Sequence, residues 1–363
     1  MSAALPMNQP GGEGAALAEI EALGARMASV RTQIGRAIYG QGEVIDQTLI
    51  TLLSGGHVLL VGVPGLGKSR LVETLAVVLG LGSKRIQFTP DLMPADILGS
   101  EVLDEAPGDG RRSFRFVAGP VFCQLLMADE INRASPRTQS ALLQAMQEGR
   151  VAVGGVEHPL PRPFHVLATQ NPIEQEGTYP LPEAQLDRFL MEVRVGYPDL
   201  ADERSMLVAT TGPAETRPVA ALSAGELMAA QALIRRVPVG ESVLEAILAL
   251  VRGGRPESSA DEEIRRHVAW GPGPRAAQAL MLATRARAVL DGRLAPSLED
   301  VAALAVPILR HRMALNFSAR ADGVTIEGVI ARLVARLGLD QPGLDRPSLD
   351  RAGGERRGAE ARG

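Results

Sequence analysis

One glycine-rich segment constrains the fold of this chain more than any other feature. It fits the pattern G-x-x-x-x-G-K-[ST] and consists of Gly62, Val63, Pro64, Gly65, Leu66, Gly67, Lys68 and Ser69. An apolar run at 57–61 precedes it, and a helical pattern begins at Arg70. Backbone N–H groups in such a loop turn inward around phosphate groups, and the helix N-terminus adds partial positive charge. A glycine-rich turn with an exposed lysine is the alternative, but strand, loop and helix in this order favour a phosphate site.

The residues at the end of this loop suggest the ligand. Of the 38 basic residues in the chain, only Lys68 and Lys84 are lysines. A chain that otherwise uses arginine keeps a lysine where a compact point charge is needed. Lys68 is therefore predicted to reach the β- and γ-phosphates of ATP, and the Ser69 hydroxyl to bind Mg²⁺. Arg70, which opens the helix, completes the predicted nucleotide-binding segment.

Short apolar runs alternate with helical patterns through the first half of the chain. The runs at 57–61, 85–89, 124–128, 164–169 and 189–195 read as buried strands. This alternation predicts an α/β fold, a parallel sheet with helices on both faces. Two glycine-rich turns interrupt it and predict hairpins at 99–118 and 151–158.

Polar side chains follow two of these strands. Asp129 and Glu130 end the run at 124–128, and Asn171 follows the run at 164–169. The carboxyl ends of parallel strands are where open α/β sheets bind ligands. Asp129 is predicted to orient Mg²⁺, Glu130 to act as general base on the attacking water, and Asn171 to hold that water. Taken singly, each could be a solvated helix cap or an ordinary turn residue.

The second half of the chain differs in pattern. From Leu222 onward only helical periodicity is found, at 223–237, 240–252, 274–291, 297–315 and 324–337. Ser223 and Ser297 begin capping-box patterns. The predicted organisation is a disordered N-terminus (1–14), a nucleotide-binding α/β domain (15–200), a linker (201–221), an all-helical lid domain (222–340) and a disordered tail (341–363).

Composition excludes several classes of protein. The net charge of −4 and the pI near 5.9 argue against a dedicated nucleic-acid binder, although they are compatible with local basic stripes. No apolar run approaches the roughly 20 residues that span a bilayer, and no signal peptide is evident. We therefore expect a cytoplasmic protein without direct membrane insertion. The single cysteine, Cys123, lies in an apolar run and is expected to be an inert core thiol.

Four segments together resemble the MoxR family of AAA+ ATPases: residues 88–99, 129–134, 138–148 and 168–189. The resemblance covers about 15–337. It implies that Asn171 is the sensor 1 residue and that Arg188 is the arginine finger for a neighbouring subunit. It also implies that Arg275 is sensor 2 and that Gly40 and Gln41 lie near the adenine. The family usually has a small polar residue where Gly273 stands, which leaves Arg275 in place.

The resemblance also implies a function and partners. It suggests a ring oligomer, a hexamer, that remodels or activates a protein client together with a protein bearing a von Willebrand factor A domain. A nucleic-acid motor is the second hypothesis, because related ATPases with an insert in helix 2 include helicases. The acidic total, the 3% of aromatic residues and the presence of only two lysines disfavour a channel that tracks a nucleic-acid strand. A nucleotide-binding module without catalysis is disfavoured because Glu130 is present.

Overall fold

In a computed structural model of the chain, the structure describes residues 12–105, 112–173, 177–212 and 217–339. The described strands are β1 (Val58–Val61), β2 (Ser83–Gln87), β3 (Gly99–Glu105), β4 (Arg112–Ala118), β5 (Leu125–Asp129), β6 (Arg150–Val153), β7 (Val156–Pro159), β8 (His165–Gln170), β9 (Met191–Arg194), β10 (Val268–Trp270) and β11 (Ala314–Leu315). The described helices are α1 (Gly12–Gly35), α2 (Gly42–Leu53), α3 (Lys68–Val78), α4 (Pro94–Leu98), α5 (Pro136–Glu148), α6 (Glu183–Leu186), α7 (Leu200–Thr211), α8 (Ala224–Ile234), α9 (Glu241–Gly253), α10 (Glu262–His267), α11 (Pro274–Leu290), α12 (Leu298–Leu309), α13 (Phe317–Ala321) and α14 (Ile326–Arg336).

A parallel sheet with the strand order β2-β5-β8-β1-β9 forms the centre of the first domain. All of the strands predicted for this sheet are present, with ends shifted by a few residues. The side chains of β1 alternate between two apolar clusters, with Val58 and Leu60 in one and Leu59 in the other. Helices therefore cover both faces, and the fold class predicted from the sequence is confirmed.

The strand ends place the polar residues along one edge of the sheet. Gln87 at the end of β2 lies opposite Asp129 at the end of β5, and Val61 lies opposite Gln170 at the end of β8. Because the strands are parallel, the residues that follow them converge at this edge. At the opposite edge lie the residues that precede β1 and β9.

The second domain is mostly helical, as predicted, but it is not all-helical. A short antiparallel ribbon pairs β10 with β11. The helix predicted over 297–315 is too long, because α12 ends at Leu309 and a 3-10 turn at Arg310–Arg312 leads into β11. Pro307 in the last turn of α12 has no N–H to donate to the carbonyl oxygen of Ala303, which weakens this end of the helix.

Both predicted hairpins are present, β3–β4 and β6–β7, although residues 106–111 at the tip of the first, including Arg111, lie outside the described residues. The predicted linker begins with helix α7, which the sequence did not indicate. The predicted disordered ends lie almost entirely outside the described residues, except that α1 begins at Gly12. Within the described segments, every helix is too short or too polar to cross a bilayer.

Candidate functional site

The glycine-rich loop joins β1 to α3 at the edge where the strands end. Gly67 caps α3 with a left-handed φ of 75°, and no side chain caps the helix. At Gly62 a Cβ atom would lie 2.5 Å from the carbonyl oxygen of Val195, so the neighbouring chain leaves room only for glycine. The uncapped N–H groups of α3 therefore face the space above the loop, as an anion site requires.

Lys68 is held inside this loop. Its ammonium group donates to the carbonyl oxygens of Gly62, at 2.6 Å, and Val63, at 2.8 Å. Burial lowers the pKa of Lys68 from its ordinary value, while the carboxylates of Asp129 and Glu130 oppose that shift. The lysine charge is thus placed next to the two acidic residues, where a polyphosphate would lie between them.

Asp129 is the more enclosed of the two acidic side chains, with 13% of it exposed. One carboxylate oxygen accepts from the hydroxyl of Thr169 at 2.6 Å, and the other accepts from the guanidinium of Arg85 at 2.6 Å. Thr169 in turn accepts from the backbone N–H of Glu130 at 2.8 Å. Thr169 therefore ties the end of β5 to the end of β8 and fixes the rotamer of Asp129.

Glu130 stands in an unusual backbone conformation. Its φ of 55° lies in the left-handed region, and it is the one non-glycine residue with a positive φ among the described residues. Such strain persists where the surrounding structure fixes it, often at functional sites. Its carboxylate accepts from Gln87 at 2.6 Å and from Arg133 at 3.2 Å. The Glu130 carboxylate therefore has hydrogen-bond partners different from those of Asp129.

A cavity of about 440 Å³ brings these residues together. Its lining includes the phosphate loop and the ends of β2, β5 and β8: Pro64, Gly65, Gly67, Lys68, Ser69, Arg70, Arg85, Gln87, Asp129, Glu130, Thr169, Gln170 and Asn171. The side-chain oxygen of Asn171 accepts from the backbone N–H of Ile173 at 3.2 Å. The predicted positions Lys68, Ser69, Asp129, Glu130 and Asn171 therefore share one cavity.

The donor set in this cavity fits Mg²⁺ better than a metal held by protein alone. Among the described residues, no group of three or more histidine, cysteine, aspartate or glutamate side chains could hold a metal. Ser69 and Asp129 supply one hydroxyl and one carboxylate. Mg²⁺ is usually bound through one or two such ligands, with phosphate oxygens and water completing the octahedron.

A second cavity, of about 270 Å³, lies on the other side of the loop. It is lined by Gln41, Leu66 and Arg70 together with Tyr39 and residues of α7, and Gln41 donates to the carbonyl oxygen of Leu66 at 3.0 Å. Gly40, with φ 65°, packs against Pro198 and Asp202 at the start of α7. This cavity has the size and apolar lining that suit a nucleobase.

Arg188 and Arg275 lie in a different place. Both line a third cavity together with Asp187, Arg312 and residues 55–57, which precede β1. This cavity is at the opposite edge of the sheet from the phosphate loop. Arg275 approaches the carboxylate of Asp187 at 3.6 Å, and among the described residues no carboxylate pairs with Arg188. The structure brings the two arginines together but does not bring them to the phosphate loop of their own chain.

Sequence reasoning missed several residues of these cavities. Arg85, Gln87 and Thr169 contact the two carboxylates, and Tyr197 and Met206 line the second cavity. The signal for Gln87 and Thr169 was available, since both lie at the ends of predicted strands that converge at one edge. No such signal exists for α7, whose apolar residues have no clear helical period.

Comparison with known proteins agrees with this geometry. Residues 57–191 match the family model described as the ATPase family associated with various cellular activities (AAA), and residues 261–333 match the AAA lid domain. The chain is 41% identical to Chaperone MoxR1 of Mycobacterium tuberculosis, over 92% of this chain and 86% of that protein. It is 33% identical to Protein MoxR of Paracoccus denitrificans, over 80% of this chain and 89% of that protein.

A solved structure shows the same architecture. A protein from Cytophaga hutchinsonii, 37% identical, superposes with a TM-score of 0.81 over 88% of this chain and 96% of that one. The fold and the loop define a nucleotide-binding ATPase with an AAA domain followed by a lid domain. The chain belongs to the MoxR family of AAA+ ATPases.

Proposed function

We propose that this ATPase forms a ring, a hexamer in the cytoplasm, and uses ATP hydrolysis to remodel, assemble or activate a protein client together with a von Willebrand factor A domain partner. One observation carries the proposal. Arg188 and Arg275 line a cavity at the opposite edge of the sheet from the phosphate loop. An arginine that cannot reach its own nucleotide can reach a neighbour's when subunits pack head to tail in a closed ring.

Within one subunit, each residue of the loop cavity has a distinct task. Lys68 binds the β- and γ-phosphates, and Asn171 holds the attacking water in line with the γ-phosphorus. Glu130 accepts the proton of that water as it attacks. Asp129 and Ser69 would hold Mg²⁺, which neutralises charge on the β- and γ-phosphate oxygens when bound. Gly40 and Gln41 lie at the edge of the adenine pocket.

The two arginines complete the site from the neighbouring subunit. As the bond to the γ-phosphoryl group breaks, charge develops on its oxygens, and a guanidinium from outside stabilises that charge. Arg188 supplies it directly, and Arg275 lies beside it on the lid. Hydrolysis then requires two subunits in contact.

Subunit mixing tests this arrangement. Arg188→Ala subunits keep an intact phosphate loop but lack the arginine, and Lys68→Ala subunits keep the arginine but lack a working loop. Each variant alone should therefore be inactive. A mixture should recover part of the wild-type ATPase rate, because some contacts then join an intact loop to an intact arginine. A fully active monomer, measured by light scattering in the presence of ATP, would refute the shared site.

The hairpin β3–β4 supports a protein client more than a nucleic acid. Its exposed side chains include Leu103 and Phe114, which lie opposite each other and are 50% and 71% exposed. Arg115 already pairs with Asp104 at 2.9 Å. The relative in Mycobacterium tuberculosis is named a chaperone. A nucleic-acid motor, the second candidate, would need free basic groups on such a surface.

Capture with a trapped subunit tests the client. The Glu130→Gln variant should bind ATP without hydrolysing it and so hold partners in the ATP-bound state. The Lys68→Ala variant is the matched control, because it should not reach that state. A von Willebrand factor A domain protein enriched with the first and not with the second is expected. Enrichment of nucleic acid alone would favour the motor.

A further inference from the structure

The short turn that carries Arg188 makes several hydrogen bonds to the lid. Asp187, Phe189 and Leu190 surround Arg188 in the chain, and the lid residues His311 and Arg312 contact all three. The imidazole of His311 donates to the carbonyl oxygen of Phe189 at 3.1 Å. The lid thus holds the backbone on both sides of the predicted finger.

Arg312 makes most of these contacts. Only 2% of it is exposed. Its hydrogen bonds run to the Asp187 carboxylate at 2.7 Å, the Asp187 carbonyl oxygen at 3.3 Å, the Phe189 carbonyl oxygen at 2.6 Å, the Leu190 carbonyl oxygen at 3.0 Å and the Ile308 carbonyl oxygen at 2.6 Å. All three nitrogens of the guanidinium are used, and the Ile308 bond ties the same group to the end of α12.

Asp187 joins this turn to the second arginine. One carboxylate oxygen accepts from Arg312, and the other lies 3.6 Å from the guanidinium of Arg275 at the start of α11. Burial lowers the pKa of Arg312 from its ordinary value, and the Asp187 carboxylate opposes that shift. One carboxylate therefore relates the position of Arg275 to that of Arg188.

The chemistry of this contact is specific to arginine. A planar guanidinium presents five donors in a fixed fork, whereas a lysine ammonium presents three on a flexible stem. Lysine at position 312 would keep the charge but could not reach carbonyl oxygens on both the turn and the end of α12. The turn would then be free to shift, and a shift of about 1 Å in a catalytic group can cost about 100-fold in rate.

We propose that Arg312, acting through Asp187, is a positioning residue that sets Arg188 and Arg275 for the nucleotide of the neighbouring subunit. This proposal rests on the shared site proposed above. The proposal couples the position of the lid to the position of the arginine finger, because a rotation of the lid would also move the turn at 187–190. The lid of one subunit thereby adjusts hydrolysis in the next.

The first test separates positioning from nucleotide binding. In Arg312→Lys, kcat for ATP should fall by roughly 10- to 100-fold. Affinity for a fluorescent ATP analogue should stay within about twofold of wild type, because Arg312 lies outside both nucleotide cavities. Arg310→Lys is the matched control: it lies in the same 3-10 turn but contacts Val306 instead of the finger turn, and its kcat should stay near wild type.

Subunit mixing gives a readout that a general loss of stability would not produce. Arg312→Lys should regain activity when mixed with Lys68→Ala, which brings an intact finger, and should gain none when mixed with Arg188→Ala. Asp187→Asn, which keeps the shape of the side chain, should show the same pattern and serves if Arg312→Lys does not fold.

Two outcomes distinguish the two proposals. If Arg188→Ala and Lys68→Ala fail to complement each other, the shared site itself is wrong. If they complement each other but Arg312→Lys and Asp187→Asn keep wild-type kcat, or are restored by Arg188→Ala, the positioning role is wrong.

Discussion

At the scale of single residues, the two adjacent carboxylates at the end of β5 have different surroundings. Asp129 is enclosed by Thr169 and Arg85, so its oxygens point in fixed directions. Glu130 follows on a strained backbone and accepts from two flexible side chains, Gln87 and Arg133. A fixed carboxylate suits a metal ligand, and a carboxylate with exchangeable partners suits a general base.

Substitutions at Lys68 and Glu130 should therefore fail in different ways. Lys68→Ala should abolish ATP binding, because the ammonium contacts the ground-state phosphates. Glu130→Gln should keep ATP binding and lose turnover by roughly 100-fold or more, because the carboxylate acts on water only in the transition state. Equilibrium binding of an ATP analogue and steady-state phosphate release measure the two effects. Near wild-type turnover in Glu130→Gln would show that another group is the base.

At the scale of elements, capping patterns read from the sequence are present in the structure. Ser223 begins α8 and Ser297 begins α12, each with an acidic residue three positions later that accepts from the serine backbone. The two caps differ in burial. Asp300 of the second is fully buried and accepts two bonds from Arg293, at 2.6 and 2.7 Å, which raises the pKa of Arg293 above its ordinary value.

Removing Asp300 should destabilise the lid. Asp300→Ala removes the N3 half of the capping box of α12 and the buried partner of Arg293, which is 38% exposed and keeps Asp291. Because Arg293 is partly solvated, the expected loss is about 2 kcal/mol, below that of a fully buried pair. Glu226→Ala is the matched control, since Glu226 holds the same place in the exposed cap of α8 and should cost much less. Urea unfolding of both variants measures the free energy of unfolding. Equal losses would show that burial does not decide the cost.

The sequence predicted individual strands and helices better than the contacts and connections between them. The phosphate loop and the ends of β5 and β8 follow from local patterns, since a strand that ends in polar residues is visible in one stretch of chain. The contacts of Arg312 cannot be read from a local pattern, because the turn at 187–190 is more than a hundred residues away in the chain. The same holds for α7: its apolar side chains are not buried in the chain and show no period that predicts a helix.

Buried histidines just before β1 and at the start of β8 predict acid sensitivity. Burial, and then the neighbouring His165, lower the pKa of His57 to about 3. The unfolded chain takes up this proton below its ordinary pKa of about 6.5, so protons favour unfolding between about pH 6.5 and 3. Stability should be intact above this window and fall within it, by up to ~1.4 kcal/mol per pH unit.

His57→Asn tests that dependence. Asparagine can still accept from the backbone N–H of Val166, as the ring of His57 does at 3.0 Å. The variant should be less stable at neutral pH but should lose stability less steeply as the pH falls. The slope should be reduced and not abolished, because burial also lowers the pKa values of His165 and His311. Urea midpoints across the window measure it, and an unchanged slope would contradict the role of His57.

At the scale of the whole molecule, the phosphate-binding, arginine-bearing and exposed apolar surfaces lie in different places. The phosphate loop and the arginine cavity lie at opposite edges of one sheet, and the hairpin β3–β4 lies apart from both. Its base packs on the second hairpin, where Phe116 stacks on His158 with ring centroids 3.9 Å apart. Its outer half carries the exposed pair Leu103 and Phe114. We infer that the outer half of the β3–β4 hairpin is the part that meets a partner.

The last prediction concerns this hairpin. Replacing residues 104–112 with a short Gly-Ser turn should leave the basal ATPase rate intact, because the residues of this stretch that the structure describes line neither nucleotide cavity. It should remove stimulation by a von Willebrand factor A domain partner. Phe114→Ser should weaken the same stimulation, whereas Leu248→Ser, a change at an exposed apolar residue of α9, should not.

Steady-state ATPase rates with purified partner, and separately with single-stranded DNA or RNA, measure the response. A protein-remodelling ring ignores the polynucleotide, while a nucleic-acid motor is stimulated by it in a manner that falls steeply with salt. Polynucleotide stimulation that survives at about 0.15 M salt would reverse the order of the two functions, and an unaltered partner response would leave the hairpin as a solvated edge of the ring.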